Sequence, residues 1–147
     1  MQRSRKILTG LLGYYYSVIS MILKYKCTTI DVSADGRKIK TTDKVFMVTV
    51  ANGSRYGGDF MVAPDAAVND GTLDLVIVQG LSVLSRLFHL SKMKKGRHIL
   101  LPFVQYRKAQ VISIISSQPL AAHLDGELMI DTRFNIRLLP AKFLFRY

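Results

Sequence analysis

Two short stretches place oxygen-bearing side chains at spacings that could do chemistry. In Ala121-Ala122-His123-Leu124-Asp125-Gly126-Glu127-Leu128, two carboxylates sit at a tight turn between apolar segments. Asp-Gly between strand-like residues signals a hairpin, because Gly accepts the positive φ that a two-residue turn needs. Asp125 then falls in the turn and Glu127 opens the returning strand. A Glu held on a rigid hairpin can accept a proton from a substrate hydroxyl that a partner brings within reach. Taken by itself, the motif more often marks only a solvated turn, which these residue types favour. The second stretch runs from Pro64 through Asp65, Ala67, Asn69, Asp70, Gly71 and Thr72 to Asp74, crowding three acids and an Asn into an otherwise basic chain. Hard cations such as magnesium prefer carboxylate, carbonyl and water oxygens, so this loop could hold one. The plainer reading is an Asp-Gly turn joining two strands.

The elements that must position these residues follow from periodicity. Residues 28–33 alternate, Asp35-Gly36 turns and residues 37–40 return, which predicts a first hairpin. Residues 44–51 form a nearly continuous β-branched and aromatic run, the pattern of a central strand buried on both faces. A Gly-rich loop over 52–58 leads to a short strand-like segment at 59–63, ended by Pro64. Residues 73–78 read as a strand. From Ser82 to Lys95 the spacing turns helical, with Val83, Leu84, Leu87, Phe88, Leu90 and Met93 on one side, Ser82 as N-cap and Gly96 as the stop. Strand-like segments follow at 109–116, 120–124, 127–131 and 134–139, with a further candidate at 142–147.

The ends of the chain and its composition narrow the class. Residues 7–23 are seventeen uncharged positions flanked by Arg3, Arg5, Lys6, Lys24 and Lys26, at the short limit of a membrane span. Gly10, Gly13, Ser17, Ser20 and three tyrosines dilute that hydrophobicity, and the apolar spacing predicts a helix packed on the domain. At 147 residues and 49% hydrophobic, the chain suits one domain with its own core. No repeat or linker marks a second boundary. The predicted architecture is mainly β, an antiparallel sandwich with an N-terminal helix and one inserted helix. A net charge of +11 favours anionic partners, whether nucleic acid, nucleotide phosphates or a membrane surface. Cys27 is the single cysteine, which rules out an intrachain disulfide and makes a reducing cytoplasm the expected compartment. No phosphate-binding Gly-x-x-x-x-Gly-Lys-Ser/Thr or Gly-x-Gly-x-x-Gly occurs, and His89, His98 and His123 are too widely spaced for a zinc cluster.

The order of the motifs is more specific than any one of them. Val50-Ala51-Asn52-Gly53, then Tyr56-Gly57-Gly58, Met61-Val62-Ala63-Pro64-Asp65-Ala66, Asn69-Asp70-Gly71-Thr72-Leu73-Asp74-Leu75 and finally Leu124-Asp125-Gly126-Glu127 resemble the C-terminal half of the diacylglycerol kinase catalytic family. That family includes bacterial lipid kinases and the sphingosine and ceramide kinases, and the resemblance covers nearly the whole chain. It implies transfer of the γ-phosphoryl group of ATP to a lipid hydroxyl, with magnesium. It further implies Glu127 as proton acceptor and Asp125 as a shaping residue of the same site. A magnesium would be held by the Asp70 carboxylate, with backbone carbonyls near Ala67 and Thr72. The implied fold is a β-sandwich facing an α/β nucleotide-binding domain across a cleft, as in the related NAD kinases.

One departure is large. The Gly-Gly-Asp-Gly-Thr motif that grips the nucleotide in the family is missing from this chain. The chain is therefore expected to be the C-terminal half of a two-domain kinase, inactive alone. Its expected partners are the nucleotide-binding domain, a lipid substrate and an anionic membrane surface met peripherally from the cytoplasm, with a second copy as a candidate through exposed apolar surface. The competing reading is a non-catalytic basic β-domain for nucleic acid or membranes. Nucleic acid is the weaker of these partners, because the Tyr and Phe residues fall inside apolar runs rather than forming stacking platforms.

Overall fold

Leu73–Gln79 is buried along almost its whole length, and the sandwich is built on it. The computed structural model describes Gly13, Tyr16 and residues 19–57 and 60–139. Among these, the strands are β1 (Ile30–Ala34), β2 (Arg37–Ile39), β3 (Val45–Ala51), β4 (Leu73–Gln79), β5 (Val104–Ala109), β6 (Val111–Leu124) and β7 (Glu127–Arg137), with helix α1 (Val83–Lys94) between β4 and β5. They form two sheets, ordered β2-β1-β6-β7 and β3-β4-β5, and every pairing is antiparallel. The predicted mainly antiparallel sandwich with an inserted helix is the observed architecture.

Alternation dictates what each sheet buries. Leu73, Leu75 and Ile77 of β4 point into the sandwich and meet Ile30, Val32, Ile112 and Ile114 of the opposite sheet. Each such aliphatic side chain stabilises the fold by about 1.5–3 kcal/mol when fully buried. The intervening residues of β4, Asp74, Val76 and Val78, are buried as well, on the outer face. That second buried face is what allows a carboxylate to sit in the middle of a strand with no exposure to water.

Several expectations need correction. The run at 44–51 is a strand, but among the described residues it lies at the end of its three-stranded sheet and is mostly half-buried; β4 is the central strand. β-branched residues favour any pleated surface, so the run could not reveal its position in the sheet. Of the segment expected at 59–63, the described residues 60–63 form no strand: Phe60 makes an isolated bridge to Tyr56. The segments at 109–116 and 120–124 are one strand, β6, interrupted by a register shift between Ile115 and Leu120, and those at 127–131 and 134–139 are one strand, β7. A full strand, β5, lies where none was expected. Its start at Val104 follows a short 3-10 turn, Arg97–Leu100, and it ends at Ala109, after which the chain crosses to the other sheet. That crossing at Gln110 is tied down by Asp35, whose Oδ1 accepts from Gln110 N (3.0 Å) and Val111 N (2.9 Å).

The inserted helix forms as expected, with Ser82 Oγ accepting from Ser85 N at 3.3 Å and Gly96 turning the chain at φ 71°. Its faces are not as expected. Leu84 and Phe88 are exposed at 79% and 73%, and the buried residue of the helix is Arg86. The guanidinium of Arg86 donates to the carbonyls of Ile22 (3.1 Å), Tyr25 (2.8 Å) and Leu81 (3.0 Å) and to Cys27 Sγ (2.9 Å), and stacks over Phe46 at 4.4 Å. Residues 19–24 are helical, so Arg86 caps the C-terminal end of that helix, where carbonyls lack intrahelical partners. The rest of the helix expected over 7–23, apart from Gly13 and Tyr16, lies outside the described residues, as does the candidate strand at 142–147. No helix among the described residues is long and apolar enough to cross a membrane.

Candidate functional site

The acidic loop is organised by its own backbone. Asp70 Oδ1 accepts from Thr72 N at 2.9 Å and from Thr72 Oγ1 at 2.8 Å, an Asx-type turn that Gly71 completes at φ 73°. Asp70 N donates to the Ala67 carbonyl at 3.3 Å. From the neighbouring strand β5, Lys108 projects onto the outer face of the sheet. Its ammonium makes a short ion pair with Asp70 Oδ2, donates to the Asp65 carbonyl at 3.2 Å and lies 3.7 Å from Asp74 Oδ1. Those contacts, with the Thr72 donors second, hold the Asp70 carboxyl at about 2, well below the usual carboxylate range. The pairing with Asp70 also raises the Lys108 ammonium.

Asp74 completes the cluster from β4. Its register partner is Lys108, and the Tyr106 hydroxyl, on the same face of β5, donates to Asp74 Oδ1 in a short hydrogen bond. Burial first, and then the Asp74 carboxylate, push the Tyr106 hydroxyl well above its ordinary range. Asp74 Oδ2 is buried with no hydrogen-bond partner. The flank of the loop is held by His98, whose Nε2 bonds the Val62 carbonyl at 3.1 Å. Its other ring nitrogen is buried without a partner, so Nε2 carries the proton and donates, and burial lowers the tendency of His98 to protonate.

Among the described residues no group of three His, Cys, Asp or Glu side chains converges as a metal site. The set expected for magnesium, Asp70 with carbonyls near Ala67 and Thr72, is present as one loop, but the free oxygen of Asp70 is taken by Lys108. These residues fit a divalent cation only with the ammonium displaced. Neither Lys108 nor Tyr106 was anticipated from the sequence. The signal available was the alternation of Val104 and Tyr106 with Gln105 and Arg107, which the adjacent Arg107 and Lys108 weaken.

The second pair of candidates lies elsewhere. Asp125 (φ 50°) and Gly126 (φ 97°) form the expected two-residue turn between β6 and β7, with Leu124 paired to Glu127. Among the described residues neither carboxylate is engaged by a hydrogen bond or an ion pair. Only the first part of β6, residues 112–116, pairs with β1. The rest of the β6–β7 hairpin is a two-stranded arm. The pairs Leu124↔Glu127 and Ala122↔Met129 share one face of it, and His123↔Leu128 and Ala121↔Ile130 the other. Leu124, Leu128, Met129 and Ile130 are all exposed. The acidic loop abuts the start of β6, where Gln110 Nε2 donates to the Gly71 carbonyl at 3.2 Å, whereas Glu127 sits beyond its far end. A strand of that length spans about 40 Å, so the structure does not bring the two candidate pairs together.

Known proteins share this arrangement. Residues 2–144 match the family model described as "YegS C-terminal NAD kinase beta sandwich-like domain". A diacylglycerol kinase of Bacillus subtilis (strain 168) is 29% identical over 122 residues, which are 83% of this chain and 40% of that protein. A diacylglycerol kinase of Staphylococcus aureus (strain JH9) is 32% identical over 123 residues, 83% of this chain and 38% of that protein. A solved chain from Bacillus anthracis, named provisionally as a diacylglycerol kinase, superposes with a TM-score of 0.69 at 25% identity, covering 87% of this chain and 44% of that one. The chain thus spans about 40% of the length of the curated relatives it matches. It belongs to the YegS C-terminal NAD kinase beta sandwich-like domain family.

Proposed function

We propose that these residues are the acceptor-side domain of an ATP-dependent lipid kinase, with Glu127 as the proton acceptor. The observation that carries this reading is the setting of Glu127: an unengaged carboxylate at the tip of a hairpin arm, beside Leu124, Ala122 and Met129 on a face that Leu120 and Asp131 continue toward the body of the sheet. Such a face can lie against an apolar acceptor while the carboxylate meets its hydroxyl. The hydroxyl oxygen attacks the γ-phosphorus of ATP, the bond from that phosphorus to the bridging oxygen breaks to release ADP, and the hydroxyl proton passes to Glu127. A divalent cation bound with the ATP phosphates would neutralise charge during transfer. Asp125 sets the turn that aims Glu127, through its positive φ.

In this reading the nucleotide is held by a second domain, supported by the share of the relatives' length that the chain leaves unmatched. A partner is also needed on physical grounds, since an isolated two-stranded arm with apolar residues on both faces is marginal in water. The acceptor is presented in a bilayer: Leu84 and Phe88 are exposed and the Lys92 ammonium lies 5.9 Å from the Phe88 ring centroid, a combination that suits an anionic surface.

The test is phosphate transfer from labelled ATP to lipids in anionic and in neutral vesicles. It compares the chain alone with the chain joined to the unmatched N-terminal part of the Bacillus subtilis relative. Transfer by the joined protein, faster on anionic vesicles and reduced by a factor of roughly 10² or more in Glu127→Gln, is the expected result. Full activity of the Glu127→Gln protein would overturn the assignment.

A further inference from the structure

We propose that the ammonium of Lys108 is the resident cation of the loop at 65–74, so that this loop is ordered without a metal and a divalent ion can bind Asp70 only by expelling Lys108. Three oxygens from separate points of the chain surround Nζ: the Asp65 carbonyl, Asp70 Oδ2 and Asp74 Oδ1. An ammonium carries three donors and no acceptor, and here it donates to the Asp65 carbonyl and Asp70 Oδ2 while Asp74 Oδ1 stands at ion-pair range, 3.7 Å away. The other Asp70 oxygen is filled by the Thr72 amide and hydroxyl. Magnesium binds oxygen at about 2.0–2.1 Å and demands near-ideal octahedral geometry, so it cannot share Asp70 Oδ2 with an ammonium already in contact there.

Lys108 is also not a free surface side chain that happens to reach the loop. Its backbone is paired with Asp74 in the β4–β5 ladder, which fixes the start of its stem beside the loop. The inference stands independently of the kinase reading, because it concerns the order of the loop and is read without nucleotide or lipid.

The experiment is thermal unfolding of the 147-residue chain in EDTA and in millimolar MgCl2 at matched ionic strength, for the natural sequence, Lys108→Met and Lys108→Arg. The natural sequence and Lys108→Arg are expected to melt at the same temperature in both buffers. Lys108→Met is expected to melt about 5 °C lower in EDTA and to regain at least half of that in MgCl2. A magnesium-dependent rise in the natural sequence as large as in Lys108→Met would overturn the proposal, as would a Lys108→Met protein that magnesium does not rescue. Should Lys108→Met fail to fold in either buffer, the amide resonances of Gly71 and Thr72 in the natural sequence decide. Sharp signals in dilute MnCl2 support the ammonium as resident, and selective broadening there refutes it.

Discussion

The dipeptide Asp-Gly occurs at Asp70-Gly71 and again at Asp125-Gly126, and the two sites put the same chemistry to opposite use. At Asp70 every carboxylate oxygen has a donor: Thr72 supplies two and Lys108 another, while Asp74 and Tyr106 extend the network into the buried face of β4. At Asp125 and Glu127 nothing among the described residues engages either carboxylate, and the neighbours are exposed apolar side chains. A carboxylate with both oxygens paired, as at Asp70, resists change and holds its surroundings in place. An unsatisfied carboxylate on an apolar arm is left able to take a proton or a ligand. The difference teaches that a motif's residue types do not reveal its role; the partners brought by distant segments do.

The contrast can be broken in several ways. The largest effect is the loss of phosphate transfer in Glu127→Gln described above, and it should leave the melting temperature unchanged because that side chain contacts nothing that holds the fold. Next, Asp74→Ala should destabilise the chain by about 3 kcal/mol, since it leaves the Tyr106 hydroxyl unpaired and a void in a fully buried position. A melting temperature lowered by roughly 10 °C in calorimetry would agree, and one within about 2 °C of the natural sequence would mean that the network is not structural.

A smaller, graded effect comes from His98. Burial depresses its folded-state pKa below the ordinary value of 6.5, so the unfolded chain takes up the proton first as pH falls. The stability it contributes is therefore complete above about pH 6.5 and is lost progressively below it, by at most about 1.4 kcal/mol per pH unit. Melting curves between pH 8 and pH 5 should show this decline, with a shallower slope in His98→Gln; equal slopes would remove His98 as the cause. The smallest effect is expected at the arm. Asp125→Asn keeps a residue that tolerates positive φ and loses no hydrogen bond, so denaturant unfolding should change by less than about 0.5 kcal/mol.

A third Asp-Gly shows how much of this was legible beforehand. Asp35-Gly36 was readable as a hairpin turn from local alternation, and both residues have the positive φ such a turn needs. Its second task, accepting from Gln110 and Val111 where the chain changes sheets, joins residues about 75 positions apart and leaves no local trace. The helix at 82–95 was equally legible in extent and caps, but its orientation was not. An apolar stripe says which face prefers burial, and here the anchor was Arg86, whose stem and stacked guanidinium can be buried because helix-end carbonyls accept its protons. Strand β5 was missed altogether, since no element was assigned between Gly96 and Ala109, and with it went the two side chains that complete the acidic cluster.

What the amino-acid order settled alone is what short-range physics controls: alternation for the strands, positive φ at the Asp-Gly turns, the Ser82 cap, a mainly β class and the motif succession that marks the family. What only the tertiary structure decided is which strand is central, where one long hairpin replaces four short segments, and which cation meets Asp70. These depend on contacts between residues far apart in the chain, as when Lys108 crosses to Asp70 and Asp74. Their free energy exists only once both sheets have folded, so local sequence preferences, each worth no more than about 1 kcal/mol, cannot announce them.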